Sequence, residues 1–329
     1  MNPHRIHILD ILRGFALAGI LAANIPAIAW LPWPAAGESG RAVYDFIELA
    51  VDQRFFPIFC FLFGVGFYIF MRNVQEKGAS PCWTMVRRLG LLAVFGALHA
   101  FLQPGEALLP YAIAGFVVLP LYKLSPRGLL IATGVFLVLF GVTMTEIFII
   151  PAMFCFGLFI SKIGYFENRD KFRDATRITW MASLALIGPA VWAQVNIIVP
   201  VWPSPLATLT GLVIAVAMTT SILLLQRAET ILGWLAPFGR MALTNYILQS
   251  VVVHVIARAN PGITYAAIPG IWLAVLSAQI PLSAWWLRNF EYGPLEWLWR
   301  TGTFLRLPCL TRSANQTAQL PNVITSSSA

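Results

Sequence analysis

Three polar side chains interrupt an otherwise apolar run near the start of the chain, LDILRGFALAGILAANI (9–25): Asp10, Arg13 and Asn24. Asp10 and Arg13 are three apart and share a helix face, where they can pair with each other or with neighbouring helices. A guanidinium at such a depth has two readings. It is an anchor whose head reaches the membrane interface, or it lines a path for an anionic ligand, because its planar fork holds phosphate well. Asn24 follows Arg13 by eleven positions, close to three helical turns, so it falls on the same face. An amide there serves an interhelical hydrogen bond or donates to an oxygen on which charge develops during a reaction.

A second candidate group lies in FGALHAFLQPGEALLPYAIAG (95–115), where His99 and Glu106 flank a tight Gln-Pro-Gly turn. The turn brings them together, and a carboxylate that orients an imidazole is what a general base needs. The bland alternative is a satisfied polar pair at a turn. In GRMALTNYILQS (239–250), Arg240, Thr244 and Asn245 recur at helical spacing with Gln249 beyond, a polar stripe wider than packing needs. Arg54 opens RFFPIFCFLFGVGFYIF (54–70), whose Gly64 and Gly66 suit close helix packing. His99, Glu106 and Asn24 are therefore the candidate catalytic groups. Asp10, Arg13, Arg54, Arg240 and Asn245 are the candidate substrate-binding groups. Glu146 reads as a loop residue, His254 as interfacial, and Trp297 and Trp299 of EYGPLEWLWR (291–300) as interfacial anchors.

The elements that position these groups follow from composition. The chain is 58% hydrophobic and 11% charged, with 12 Trp and 23 Phe and a mean hydropathy of +0.75. That is too little charge to cover a water-facing surface. The expected fold class is all-α, a polytopic membrane helix bundle of about ten transmembrane helices. Apolar runs separated by charged or Pro/Gly-rich breaks place them near 8–30, 54–72, 84–103, 106–122, 128–147, 148–163, 178–198, 205–226, 240–258 and 265–287. The fifth and sixth are nearly continuous, divided at Thr145-Glu146 and Pro151. The stretch 42–53 is amphipathic and suits the surface. Residues 1–307 form a single integral membrane domain, and 308–329 a disordered Ser/Thr/Asn-rich tail. The first run holds charges and no small-residue cleavage site, so it reads as a retained span.

All but three of the 22 Lys and Arg, namely Arg41, Arg54 and Arg258, fall on one side of that alternation. The positive-inside rule then puts both termini in the cytoplasm, with the protein multi-pass in a bacterial cytoplasmic membrane. The net charge of +8 is thus a topology signal, and a nucleic-acid partner is a poor reading. Cys60, Cys82, Cys155 and Cys309 show no CxxC pair and no Cys-His spacing, so neither a disulfide framework nor a metal site is expected. No bound cofactor is implied, and a homo-oligomer is left open.

Taken together, LDILRGFALAGILAANI, FFPIFCFLFGVGF, GALHAFLQPGEALLPYAIAG, GRMALTNYILQS and GPLEWLWR resemble, in order and over nearly the whole chain, the YeiB-type bacterial membrane proteins, the domain of unknown function family numbered four-eighteen. The central stretch is shorter than that family's pattern. The family is similar in turn to membrane acyltransferases: the acyltransferase-three superfamily and the group of the lysosomal heparan glucosaminide N-acetyltransferase. The resemblance implies an acyl group carried from cytoplasmic acyl-CoA to an acceptor on the far side, with acyl-CoA a co-substrate. Arg13 and Asn24 fall on the first-span pattern of those groups. Their first-span or adjacent-loop His is absent, since no His lies between His7 and His99. In the YeiB-type pattern the His matches His99, and Glu106 replaces a usual Asp. Three functions compete on these residues: an acyltransferase, a transporter or exporter whose path the same groups line, and a non-catalytic membrane scaffold of a biosynthetic system.

Overall fold

The computed structural model describes residues 6–197, 204–308, 310 and 311. Among these the regular structure is helical, with one isolated β-bridge between Phe290 and Thr311. Fourteen α-helices follow in order: α1 His7–Ile28, α2 Arg41–Ala50, α3 Phe56–Glu76, α4 Pro81–His99, α5 Leu108–Val118, α6 Pro126–Thr143, α7 Ile149–Lys162, α8 Arg173–Asn196, α9 Pro205–Leu224, α10 Ala228–Leu232, α11 Ala236–Arg240, α12 Ala242–Ala259, α13 Ile268–Asn289 and α14 Pro294–Phe304.

A helix stands at each of the ten expected positions. Among the described residues, six helical stretches are long and apolar enough to cross a membrane: His7–Ile28, Phe56–Glu76, Pro126–Thr143, Arg169–Asn196, Pro205–Leu224 and Tyr265–Asn289. The other four fall short for physical reasons. α5 and α7 have 11 and 14 residues, about 16 and 21 Å of helix, each extended by a 3-10 turn (Pro120–Lys123 after α5, Glu146–Phe148 before α7). α4 carries Arg87 and Arg88, and α12 carries its polar stripe. α6 and α8 turn Ile131, Val135, Val138, Ile178, Met181 and Trp192 outward, each more than half exposed. Apolar faces of that extent suit lipid rather than water. α2 buries only Ile47, as a surface-lying amphipathic helix does.

α1 is the axis of the bundle and is buried on nearly all sides by α3, α11, α12 and α13. Glycines make this close approach feasible. A Cβ at Gly14 would run into the Leu235 carbonyl, and one at Gly239 into the Asp10 carbonyl. The α3–α7 crossing uses the same device, with Gly64 against the Phe154 carbonyl and Gly157 against that of Phe61. Small residues let helix backbones touch where lipid offers no hydrophobic drive.

Two helix starts are capped by carboxylates from outside the helix. Glu106 accepts from the backbone N–H of Leu108 (2.8 Å) and Leu109 (2.7 Å) and so caps α5. Glu296, in α14, accepts from the N–H of Leu243 (2.7 Å) and Thr244 (3.0 Å) and from the Thr244 hydroxyl (2.5 Å), capping α12. A carboxylate at a helix N-terminus satisfies orphan donors and meets the positive end of the dipole. Burial pushes the Glu296 carboxyl above the usual range, and these donors hold it partly down.

The tail expected over 308–329 begins with held residues. Pro308 accepts from Trp297 Nε1 (2.9 Å), and Leu310 accepts from the N–H of Glu291 (2.9 Å). Cys309 and 312–329 lie outside the described residues.

Candidate functional site

One face of α1, carrying Asp10, Arg13, Leu17, Ile20 and Asn24, lines a cavity of about 770 Å³, within the roughly 300–1,000 Å³ range of small-ligand sites. The eleven-residue spacing that put Arg13 and Asn24 on one face is thus realised, since both line this cavity. From Leu9 to Asn24 the helix rises about 22 Å, so the cavity follows α1 from one end of the bundle to the other.

The end where α1 begins is rich in guanidinium. Arg13 Nη1 donates to Asp10 Oδ1 at 2.9 Å, and Asp10 is buried. Arg240 Nη2 donates to the Glu291 carbonyl at 3.1 Å. Arg88 lays its guanidinium over the Trp299 ring at 3.6 Å and near Phe70 at 4.6 Å. Trp299 Nε1 in turn donates to the Arg88 carbonyl at 2.8 Å. Arg300 lies over Tyr292 and Phe304 at 5.0 and 5.1 Å. All four arginines line the cavity. The middle is apolar, because α3 presents Phe56, Phe59, Phe63, Phe67 and Phe70 to it at spacings of three and four. The opposite end is polar again. Asn24, Gln53 and Glu146 line it, and Glu146 accepts from Gln53 Nε2 (3.2 Å) and from the Thr208 hydroxyl (2.5 Å).

His99 and Glu106 do meet across their turn, one side chain back from the cavity. His99 Nε2 is 2.8 Å from Ser250 Oγ, which donates to Gln103 Oε1 at 2.8 Å. Nδ1 has no hydrogen-bond partner and faces Glu106 Oε2 at 3.7 Å. The ring lies 4.9 Å from that of Tyr246, and Tyr246 lines the cavity.

Of the eight candidates, the structure brings Asp10, Arg13, Asn24 and Arg240 to the cavity wall and leaves His99, Glu106, Arg54 and Asn245 outside it. Asn245 donates to the Phe238 carbonyl (3.0 Å) and Ser283 Oγ (2.9 Å), tying α12 to α11 and α13. Arg54 is fully buried and donates to the carbonyls of Leu49 (2.7 Å) and Asp52 and to Gln194 Oε1 (2.8 Å). It thereby closes the end of α2, whose last carbonyls lack helical partners. Arg88 and Arg300, absent from the sequence candidates, stand in the wall. Their signal was the aromatic-basic run LEWLWR together with the paired arginines of α4.

The family described as "Protein of unknown function (DUF418)" matches residues 160–306. The chain is 34% identical to an uncharacterised 39.9 kDa protein of Bacillus acidopullulyticus encoded in an amylase 3′ region, over 92% of this chain and 94% of that one. It is 28% identical to the uncharacterised protein YxaH of Bacillus subtilis (93% and 96% covered) and 24% identical to the uncharacterised protein YeiB of Escherichia coli (89% and 94%). The chain therefore belongs to the DUF418 family. The alignment with YxaH runs over 392 positions against the 329 residues of this chain, so YxaH carries stretches that this protein lacks. No solved structure matches.

Proposed function

We propose that this protein is a membrane acyltransferase that takes an acyl group from cytoplasmic acyl-CoA and passes it to a hydroxyl or amine acceptor at the far side of a bacterial cytoplasmic membrane. The observation that carries the reading is the order of surfaces along one cavity: guanidiniums, then a phenylalanine-lined middle, then an amide and a carboxylate. That order matches an acyl thioester, anionic at one end and apolar at the other. Ten spans, with both termini cytoplasmic, put the guanidinium end on the donor's side.

In this reading Arg13 and Arg240 hold phosphate oxygens, the pantetheine arm runs along the α3 phenylalanines, and the thioester carbonyl reaches the Asn24 end. The acceptor oxygen or nitrogen attacks the thioester carbonyl. Asn24 donates to the developing oxyanion. His99 takes the acceptor's proton at Nδ1, the nitrogen without a partner, where Glu106 stabilises the imidazolium. The C–S bond breaks and the proton passes to the leaving thiolate, so CoA thiol and acylated acceptor balance the step. Because His99 stands behind Tyr246, the acceptor must enter beside that ring.

The test is CoA thiol release from acyl-CoA by the purified protein in proteoliposomes supplied with membrane extract as acceptor. Wild type is expected to release thiol. His99→Ala, checked for expression and monodispersity, should lose at least a hundredfold; full activity in that variant removes His99 from the chemistry. One observation favours a second reading: the cavity reaches both ends of the bundle, as a transport path does. Saturable substrate flux without any acyl donor would establish that reading instead.

A further inference from the structure

We infer that Arg88, Arg300 and Arg13 form a binding site for a phosphoryl group, a phosphate monoester or pyrophosphate, at the end of the cavity where α1 begins. The assignment holds whatever reaction the cavity serves.

Arg88 is the centre of the argument. Its guanidinium carbon lies over the Trp299 ring, 3.6 Å from the centroid, and Trp299 is held in place by its own hydrogen bond to the Arg88 carbonyl. Arginine and platform therefore fix one another. Stacking occupies the face of a guanidinium and leaves its in-plane N–H groups free to donate, which is the geometry for two parallel bonds to a phosphate. No carboxylate among the described residues forms an ion pair with Arg88 or Arg300. The charges that bear on Arg88 are those of Arg300 and Arg13. Arg13 is paired with Asp10, whereas Arg88 and Arg300 line the same cavity with no such partner among the described residues, a costly arrangement that an anion offsets. Aromatic stacking by itself compensates a guanidinium only modestly.

Two ordinary explanations fall short. An arginine that only anchors the bundle at the membrane interface would extend outward, whereas Arg88 faces the cavity. An arginine that only braces the fold would spend its donors on carbonyls, and no hydrogen bond from the Arg88 side chain is formed among the described residues. Phosphate on a soluble ester and phosphate on a lipid headgroup offer the same chemistry to this site.

The experiment is titration calorimetry of the full-length protein in nanodiscs with two probes, inorganic pyrophosphate and adenosine 3′,5′-bisphosphate. It is run in phosphatidylcholine discs and again in discs containing phosphatidylglycerol. Wild type is expected to bind at least one probe in phosphatidylcholine. Arg88→Gln and Arg300→Gln should each weaken it tenfold or more, and Arg88→Lys, which keeps the charge and loses the fork, by an intermediate factor. Arg169→Gln, on the same side but outside this cavity, should bind as wild type. Competition by phosphatidylglycerol, abolished in Arg88→Gln, would support the site and name a lipid as its source. Absence of binding in wild type, or undiminished binding in a folded Arg88→Gln protein, overturns the assignment. Pyrophosphate binding without acyl-CoA binding would leave this site standing while removing the acyl donor proposed above.

Discussion

Arg54 and Arg88 are the same residue type in the same bundle, and they are treated in opposite ways. Arg54 is wholly enclosed, and its two terminal nitrogens donate to two carbonyls and one amide oxygen, which leaves only Nε without a partner among the described residues. Arg88 rests on rings and opens onto a cavity. A buried cation must be compensated. Where the protein supplies the acceptors, the residue reads as part of the scaffold; where it supplies none, as at Arg88, the acceptor proposed above is a phosphoryl group. Burial alone therefore does not separate structural from functional charge. The bookkeeping of acceptors does.

The contrast is sharpest in stability. Arg54→Leu should strip partners from the end of α2 and from Gln194, at about 3–5 kcal/mol, enough to lower the yield of monodisperse protein on size exclusion. Arg88→Gln should change the thermal midpoint little. If Arg54→Leu behaved like wild type, the distinction between the two arginines would fail. Next in size, Ser250→Ala removes the partner of His99 Nε2 and should cost about 1–3 kcal/mol for the buried group left unsatisfied, read as a lower thermal midpoint.

Glu296 gives a smaller, pH-dependent effect. Its carboxyl is raised by burial, so the folded state binds the proton more tightly than the unfolded state. The stability from this group is fully present below the ordinary value of 4.5 and is lost as pH rises through the folded value. The wild-type midpoint should fall over that interval, and Glu296→Gln should flatten the profile. The smallest expected effect on stability is that of Asn24→Ala, because no hydrogen bond from its amide forms among the described residues and the amide lines the cavity; a loss of the proposed transfer activity at unchanged thermal midpoint would support its part in that reaction.

The sequence made some of this legible and hid the rest for identifiable reasons. The face of α1 was readable, because a helical period places Arg13 and Asn24 without reference to anything distant. The meeting of His99 with Glu106 was readable too, because a tight turn joins them. Glu106 as the cap of α5 had a local signal, an acid just before a helical run. Arg88 and Trp299 each stood in a visible basic or aromatic run, but their pairing left no signal, since they are 211 positions apart. Arg54 stood out as a basic residue on the sparse side, yet its partners are mostly backbone carbonyls, which leave no trace in side-chain types. Hydropathy placed ten helical positions, of which six are long and apolar enough to cross a membrane, while the shortness of α5 and α7 depends on where helices end, and hydropathy reads that poorly.

The α12 cap has a consequence for how the protein is made. The carboxylate that completes the start of α12 comes from Glu296, more than fifty positions later in synthesis. The Arg88 platform likewise waits for Trp299. Until the ribosome has released that stretch, α12 begins with bare amide groups and the guanidinium end of the cavity lacks a wall. The order of translation thus leaves the start of α12 and the guanidinium end of the cavity incomplete until the rest of the bundle has been made, and a chain cut short before Glu296 would lack both.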